Sequence, residues 1–328
     1  MTSKTRFFTI ASLLVLGVGC GAGIVAYYVG FAGHPVSRDP GPAELRYLPP
    51  DAAVVAFVDV RALTASPLWP RIERAVPVEK DGRQEVLRET GIDVQRDVDR
   101  LIVRLEPGTP AAEMSPALLL AHGTFDEAKL EAIMRARGAR AEPYRHKRLL
   151  VALPSAGPFA LSFLGQGVVA VGHTTLVRQA IDLDRGGDNI TSNLEVMNLV
   201  RSLDSGTAWA LGRFDAVRSA AKLPEEVSQL PAITWLSIVG HVSDVVDGVA
   251  RAEARDEESA RQLREVVRGV VAFAKLQAGS TPEFQRLVQS FQLGGSGKAV
   301  ALSFSMPAQV LDRVGPPAAA ADQSQHVR

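Results

Sequence analysis

From Phe7 to Gly33 the chain carries no charged side chain, and the run FFTIASLLVLGVGCGAGIVAYYVG exceeds the roughly 20 residues that cross a bilayer's hydrocarbon core as a helix. Such a run constrains a chain more than any other feature here, because it predicts a transmembrane helix and so decides on which side of a membrane the rest folds. Lys4 and Arg6 precede it on a short tail, which places the N-terminus in the cytoplasm, against a weak counterweight from Arg38 and Arg46. Tyr27 and Tyr28 suit the outer interfacial belt. Two other readings stand beside a retained anchor. One is a signal peptide cleaved near Cys20, Gly21 and Ala22; the other is a lipidated Cys20, against which Gly17 stands where a larger aliphatic is usual. All three export the remainder of the chain, so the expected address is the cytoplasmic (inner) membrane, single-pass, with the bulk of the protein periplasmic or extracellular. Gly17, Gly19, Gly21 and Gly23 form overlapping small-xxx-small spacings that would let another helix approach closely, a route to self-association or to a protein partner within the lipid bilayer.

Beyond the anchor, residues 34–50 are rich in Pro and Gly and read as a tether, and 315–328 as a disordered tail. Between them lies patterned sequence. The predicted elements of a first module, 51–204, are a strand from Val54, helices near Pro67–Val76 and Arg83–Thr90, and strands at Leu101–Leu105 and Ala117–Ala121. A helix from Asp126 to Gly138, strands at Arg148–Leu153 and Phe159–Val171, and a helix at Leu176–Leu183 complete it. A second module, 205–314, opens with a strand at Ala208–Phe214 and continues with a strand pair, Ile233–Val242 and Gly248–Arg255. Asp256 caps a long helix whose apolar face is Leu263, Val266, Val267, Val270, Phe273 and Ala274. Thr281 and Pro282 start another helix, burying Phe284, Leu287, Val288 and Phe291, before an alternating strand of Val300, Leu302, Phe304 and Met306. AVVAFVDVRAL from Ala53 aligns with TAWALGRFDAV from Thr207, and VVAVGHTTLVRQAI from Val168 with AVALSFSMPAQVLDRV from Ala299. The expected fold class is therefore α+β: an N-terminal transmembrane helix, then two related modules with helices packed on mostly antiparallel sheets.

With this anchor and tether, LPPDAAVVAFVDVRAL followed by SPLW, the segment TGIDVQRDVDRLIV and the helix start ARDEESARQLREVVRG, the chain resembles a family of uncharacterised bacterial single-pass membrane-anchored proteins defined by a domain of unknown function. The resemblance implies topology and fold and brings no catalytic residue with it.

Chemistry is sparse. Lys and Arg number 36, matching 36 Asp and Glu, so no overall field recruits nucleic acid. Cys20, the one cysteine, lies in the anchor, which leaves the remainder without a disulfide framework or a thiol nucleophile. His34, His122, His146, His173, His241 and His326 lack metal-site spacing, and LGGSGK fails the phosphate-loop pattern because Gln292 and Ala299 stand where glycine and Ser or Thr are required. DLDRGGDN places Asp182, Asp184 and Asp188 like a partial calcium loop, with Gly186 and Asn193 at ligand positions. The acids at Glu225, Glu226 and Asp256 to Glu258 suit helix starts. Arg145, Lys147 and Arg148, in the basic stretch Arg135–Arg148, are the candidate surface contact. No catalytic, cofactor-binding or metal residue is nominated and no cofactor is implied. The functional expectation is a non-enzymatic, membrane-anchored extracytoplasmic interaction module or accessory subunit of an envelope complex. The alternative is a binding protein for a small apolar or lipidic ligand held between the modules.

Overall fold

The computed structural model describes residues 41–75, 92–106, 116–136, 138–152, 158–165, 167–203, 206–221, 232–277, 282–306 and 308–309. The expected membrane helix, residues 34–40 of the tether, the helix expected at Arg83–Thr90 and the tail lie outside them, whereas the rest of the expected tether, 41–50, is packed rather than extended, with Leu45, Tyr47 and Leu48 buried in the largest core. No helix among the described residues is long and apolar enough to cross a membrane.

The described residues fold as α+β, mixed helices on antiparallel strands. The strands are β1 (Val54–Asp59), β2 (Val98–Leu105), β3 (Ala117–Gly123), β4 (Arg140–Tyr144), β5 (Lys147–Ala152) and β6 (Phe159–Phe163). They continue with β7 (Val168–His173), β8 (Ala208–Arg213), β9 (Ile233–Val242), β10 (Val246–Ala254), β11 (Gln292–Gly294) and β12 (Ala299–Met306). All belong to one sheet in the order β11-β12-β10-β9-β8-β1-β2-β3-β7-β6-β5-β4. Because β1 pairs with β8, the sheet runs without a break through the boundary expected at 204/205. Outward from that pair the order is β1-β2-β3-β7-β6 on one side and β8-β9-β10-β12-β11 on the other.

The α-helices are α1 (Val60–Ala65), α2 (Trp69–Ala75), α3 (Val94–Asp97), α4 (Glu127–Ala136) and α5 (Thr174–Asp184). After them come α6 (Leu194–Leu203), α7 (Phe214–Ala221), α8 (Glu257–Gln277) and α9 (Pro282–Ser290), and 3-10 turns span Ala43–Tyr47 and Ile190–Ser192. One face of the sheet carries the largest core: the two 3-10 turns, α5 and α6 close over Val55, Phe57, Ile102, Leu118, Leu120, Ala170, Trp209 and Val239. The other face carries four smaller clusters, under α1, α4, α8 and α9. β1 reads as an unbroken apolar run, VVAFV, because it is buried from both sides, whereas β12 alternates. The free edges are blunted: β4 contains Pro143 and charged residues, and β11 is three residues long.

Several expectations change here. β4, α1, α3 and α6 were not foreseen. β4, sequence RAEPY, has no apolar period to read, and α6 is capped by Asn193, which accepts from the Val196 amide at 3.2 Å but follows directly on the 3-10 turn. The run expected as a strand from Phe159 to Val171 is two strands, β6 ending at Phe163 and β7 beginning at Val168, and Gly167 before β7 adopts φ +70°. A Cβ there would come within 2.6 Å of the Gly123 carbonyl oxygen, so glycine is required. In the string LGGSGK, Leu293 and Gly294 belong to β11, a strand that was not foreseen, and residues 295–298 turn the chain into β12, with Gly295 and Gly297 at positive φ. In α8, Asp256 caps as expected, accepting a 2.7 Å bond from the Ser259 amide. The helix, however, buries Ala260 and Leu263 and packs Val267 partly, while Val266, Val270 and Phe273 point to solvent. Sheet contact reaches only the first half of α8, and periodicity could not show where the underlying strands end.

Candidate functional site

The chemistry expected on the surface gathers at one end of the sheet, where the β4–β5 hairpin, the C-terminus of α5 and the Ala43–Tyr47 turn meet. A two-residue turn, Arg145 and His146, joins Tyr144 to Lys147, with Arg145 in the left-handed region at φ +55°. α5 begins where His173 accepts from the Thr175 amide at 3.4 Å, then crosses the sheet so that Asp182 and Asp184 face the hairpin tip. Asp182 accepts from the Tyr144 hydroxyl at 3.0 Å and from Arg145 Nε at 3.0 Å. Asp184 lies 2.9 Å from His146 Nε2 and 3.0 Å from Lys147 Nζ, and that ammonium also donates to the Leu164 carbonyl. Arg178 reaches Glu142 at 2.6 Å, and its guanidinium sits 5.3 Å from the centre of the Tyr144 ring.

The electrostatics come from these contacts. Burial raises the Asp184 carboxyl, but hydrogen bonds from His146 and Lys147 outweigh it and hold the group below the usual carboxylate range. Arg46 donates to the Tyr47 hydroxyl at 2.6 Å; burial nevertheless keeps that phenol above its ordinary value. Arg148 binds Glu131 at 2.6 Å, and Glu131, also bound by Arg135, is held low chiefly by Arg148.

Of the expected contact residues, Arg145 and Lys147 are therefore brought together against α5, whereas Arg148 points to the other face of the sheet and meets Glu131 of α4, so that each of the three already faces a carboxylate. The basic stretch is a zip between hairpin and helices rather than a bare cationic patch. The partial calcium loop resolves similarly: Asp182 and Asp184 face cations, and Gly186 and Gly187 turn the chain at φ +104° and +120°. The four described histidines do not converge. His122 pairs with Asp99 at 3.2 Å, His146 is at the hairpin, His173 caps α5, and His241 lies on β9. Among the described residues no three His, Cys, Asp or Glu side chains are grouped to hold a metal. Gly17, Gly19, Gly21 and Gly23 lie outside the described residues.

Two features were invisible to sequence reasoning. Glu44, with its side chain only 4 % exposed, pairs at 2.8 Å with Arg100, a partner distant in the chain. On the opposite face, α8 and β11 bound an open groove of ≈ 410 Å³, with Arg264, Arg268 and Lys275 on the rim and Val271, Phe291 and Leu293 inside. The groove's one signal in the sequence is the acid-free second half of α8.

No family model matches the chain, and no curated protein does. Among solved structures it is similar to crystal form III of TP0453, at 10 % identity over 85 % of this chain and 98 % of that one, with a TM-score of 0.49. Crystal form IV gives 9 % identity, 85 % and 96 % coverage and a TM-score of 0.49. Crystal form I gives 10 %, 85 %, 98 % and 0.44. These values describe the path of the chain alone.

Proposed function

We propose that this protein is a membrane-anchored, extracytoplasmic interaction module or accessory subunit of an envelope complex, acting by binding rather than by catalysis. The observation that carries the reading is the uncharged stretch Phe7–Gly33, separated from the start of the fold at Gly41 by a short Pro-containing link. Such an arrangement holds a folded module at a bilayer and leaves its surfaces to meet other envelope components. The test is purification of the full chain from membranes in mild detergent, with co-purifying proteins identified. A defined companion is expected; a monodisperse monomer without one would overturn the partner reading. A topology reporter placed after Val314 that became active in the cytosol would overturn the address. In the anchor, Gly17→Leu with Gly21→Leu is expected to weaken self-association of the segment, and unchanged association would remove the close-packing role.

We also propose that the two halves of the sheet descend from one duplicated module. In the β1–β8 pairing Val54 stands opposite Gly212, Ala56 opposite Ala210 and Val58 opposite Ala208, a register symmetric about the central alanines. It is the register a two-fold axis gives if Ala53 corresponds to Thr207. An apolar ligand held between the halves is disfavoured by the packing there. Phe57 and Trp209 stack with ring centroids 5.5 Å apart across the seam, and Val55 and Leu211 are buried beside them.

A further inference from the structure

Among the described residues, the second half of α8 presents an apolar face that is left exposed. Val266, Val270, Phe273 and Leu276 are 41 %, 61 %, 62 % and 83 % exposed, and their spacing sets them along one flank of the helix. Arg264, Arg268 and Lys275 project from the opposite flank, over the groove beside β11. Arg264 is fixed there by donating to the Gly297 and Ala299 carbonyls at 2.9 and 3.0 Å. From Val266 to Pro282 the sequence contains two cations, Arg268 and Lys275, and no acid, although Arg268 pairs at 2.5 Å with the exposed Glu265 just before this stretch. An amphipathic helix of this make-up, apolar on one side and cationic on the other, has the composition of an interfacial membrane helix.

Two further observations choose the occupant. The four side chains expose on the order of 400 Å², within the range where an apolar patch on a monomer is functional. Two such patches face to face fall short of the roughly 1,200 Å² that a stable interface buries, which disfavours a second copy. The eight residues from Gly33 to Gly41 span at most roughly 27 Å, so an anchor in the bilayer keeps the fold within about the length of α8 from the headgroups.

We propose that the free half of α8 is a membrane-surface docking element. It lays Val266, Val270, Phe273 and Leu276 into the headgroup boundary of an anionic bilayer, with Lys275 held in the field of the lipid phosphates. This rests on the membrane-anchored reading of the protein and adds a second contact with the same bilayer, one that fixes how the module is turned.

The test uses the full chain with Cys20→Ser. Phe273→Cys carries an environment-sensitive fluorophore, and the protein is reconstituted into liposomes of phosphatidylcholine and phosphatidylglycerol. Spin-labelled acyl chains are expected to quench that label several-fold more than one at the exposed Asp188→Cys on the α5 Gly turn. Adding Val270→Ser and Leu276→Ser, both at solvent-facing positions, is expected to bring the two labels level, and Lys275→Glu to weaken quenching in anionic but not in pure phosphatidylcholine liposomes. If the protein floats with the liposomes while the Phe273→Cys label stays in water, docking is overturned and the anchor stands. Cross-linking of Phe273→Cys between copies without lipid quenching would assign the face to a second copy and overturn the proposal. Absence of flotation would remove both docking and anchor.

Discussion

Single side chains here act mostly through charge pairs, and their effect depends on burial. Glu44 is nearly buried in its own 3-10 turn, and Arg100 pairs with it at 2.8 Å. Replacing Arg100 by Leu leaves a buried carboxylate alone, at a cost of about 3 kcal/mol; the pair Glu44→Gln with Arg100→Leu should recover most of it. Urea unfolding of the two variants checks this, since equal losses would mean the pair does not couple. Asp184 has the opposite emphasis. Its folded value lies below the unfolded one, so its stabilisation is fully present above about pH 4 and is lost as pH falls through the folded value. Asp184→Asn is therefore expected to make the fall in urea midpoint between neutral pH and about pH 3 shallower than in the parent. An unchanged slope would show that other low-lying acids, such as Glu131, carry the acid sensitivity.

Among the elements, α8 and β1 show how context overrides local pattern. The sequence of α8 is amphipathic throughout, yet only the part above β10 and β12 finds a partner; beyond Val267 no side chain as far as Leu276 is buried. Substitutions Val270→Ser and Leu276→Ser are accordingly expected to leave the urea midpoint within about 0.5 kcal/mol of the parent, whereas Leu263→Ala should cost about 2–5 kcal/mol. Comparable losses at all three positions would mean that the free half packs against the fold. At the end of β1, Asp59 turns the chain into α1 by accepting from the Ala62 amide at 2.8 Å. Asp59→Ala is expected to cost about 1 kcal/mol by removing that cap.

For the whole molecule, the consequential fact is that the expected boundary between modules is a paired strand. Trp209, 1 % exposed, packs on Phe57 in the middle of the sheet, so each half is the other's neighbour and core. Phe57→Ala is expected to cost about 3–5 kcal/mol, and unfolding monitored by tryptophan fluorescence and by far-UV circular dichroism should trace one coincident transition. Two separated transitions would show that the halves are independent folding units despite the shared sheet.

The apolar runs at Val54, Ala117 and Ile233 and the alternating run at Val300 were legible as strands, and the segments after Asp126 and Asp256 and from Pro282 as helices, because burial leaves its pattern on the residues that face the core. Charge balance, the cysteine in the uncharged opening stretch and the lack of motif spacing likewise came from the chain alone. Tertiary structure decided whatever depends on distance rather than period. It set β1 against β8 and made one sheet of two strand groups. It brought Asp182 and Asp184 to the basic hairpin, and Glu44 to Arg100. It also stopped the sheet short of Val270, Phe273 and Leu276. Periodicity records that a residue has an apolar side to hide, but only the packed neighbours determine whether anything is there to hide it.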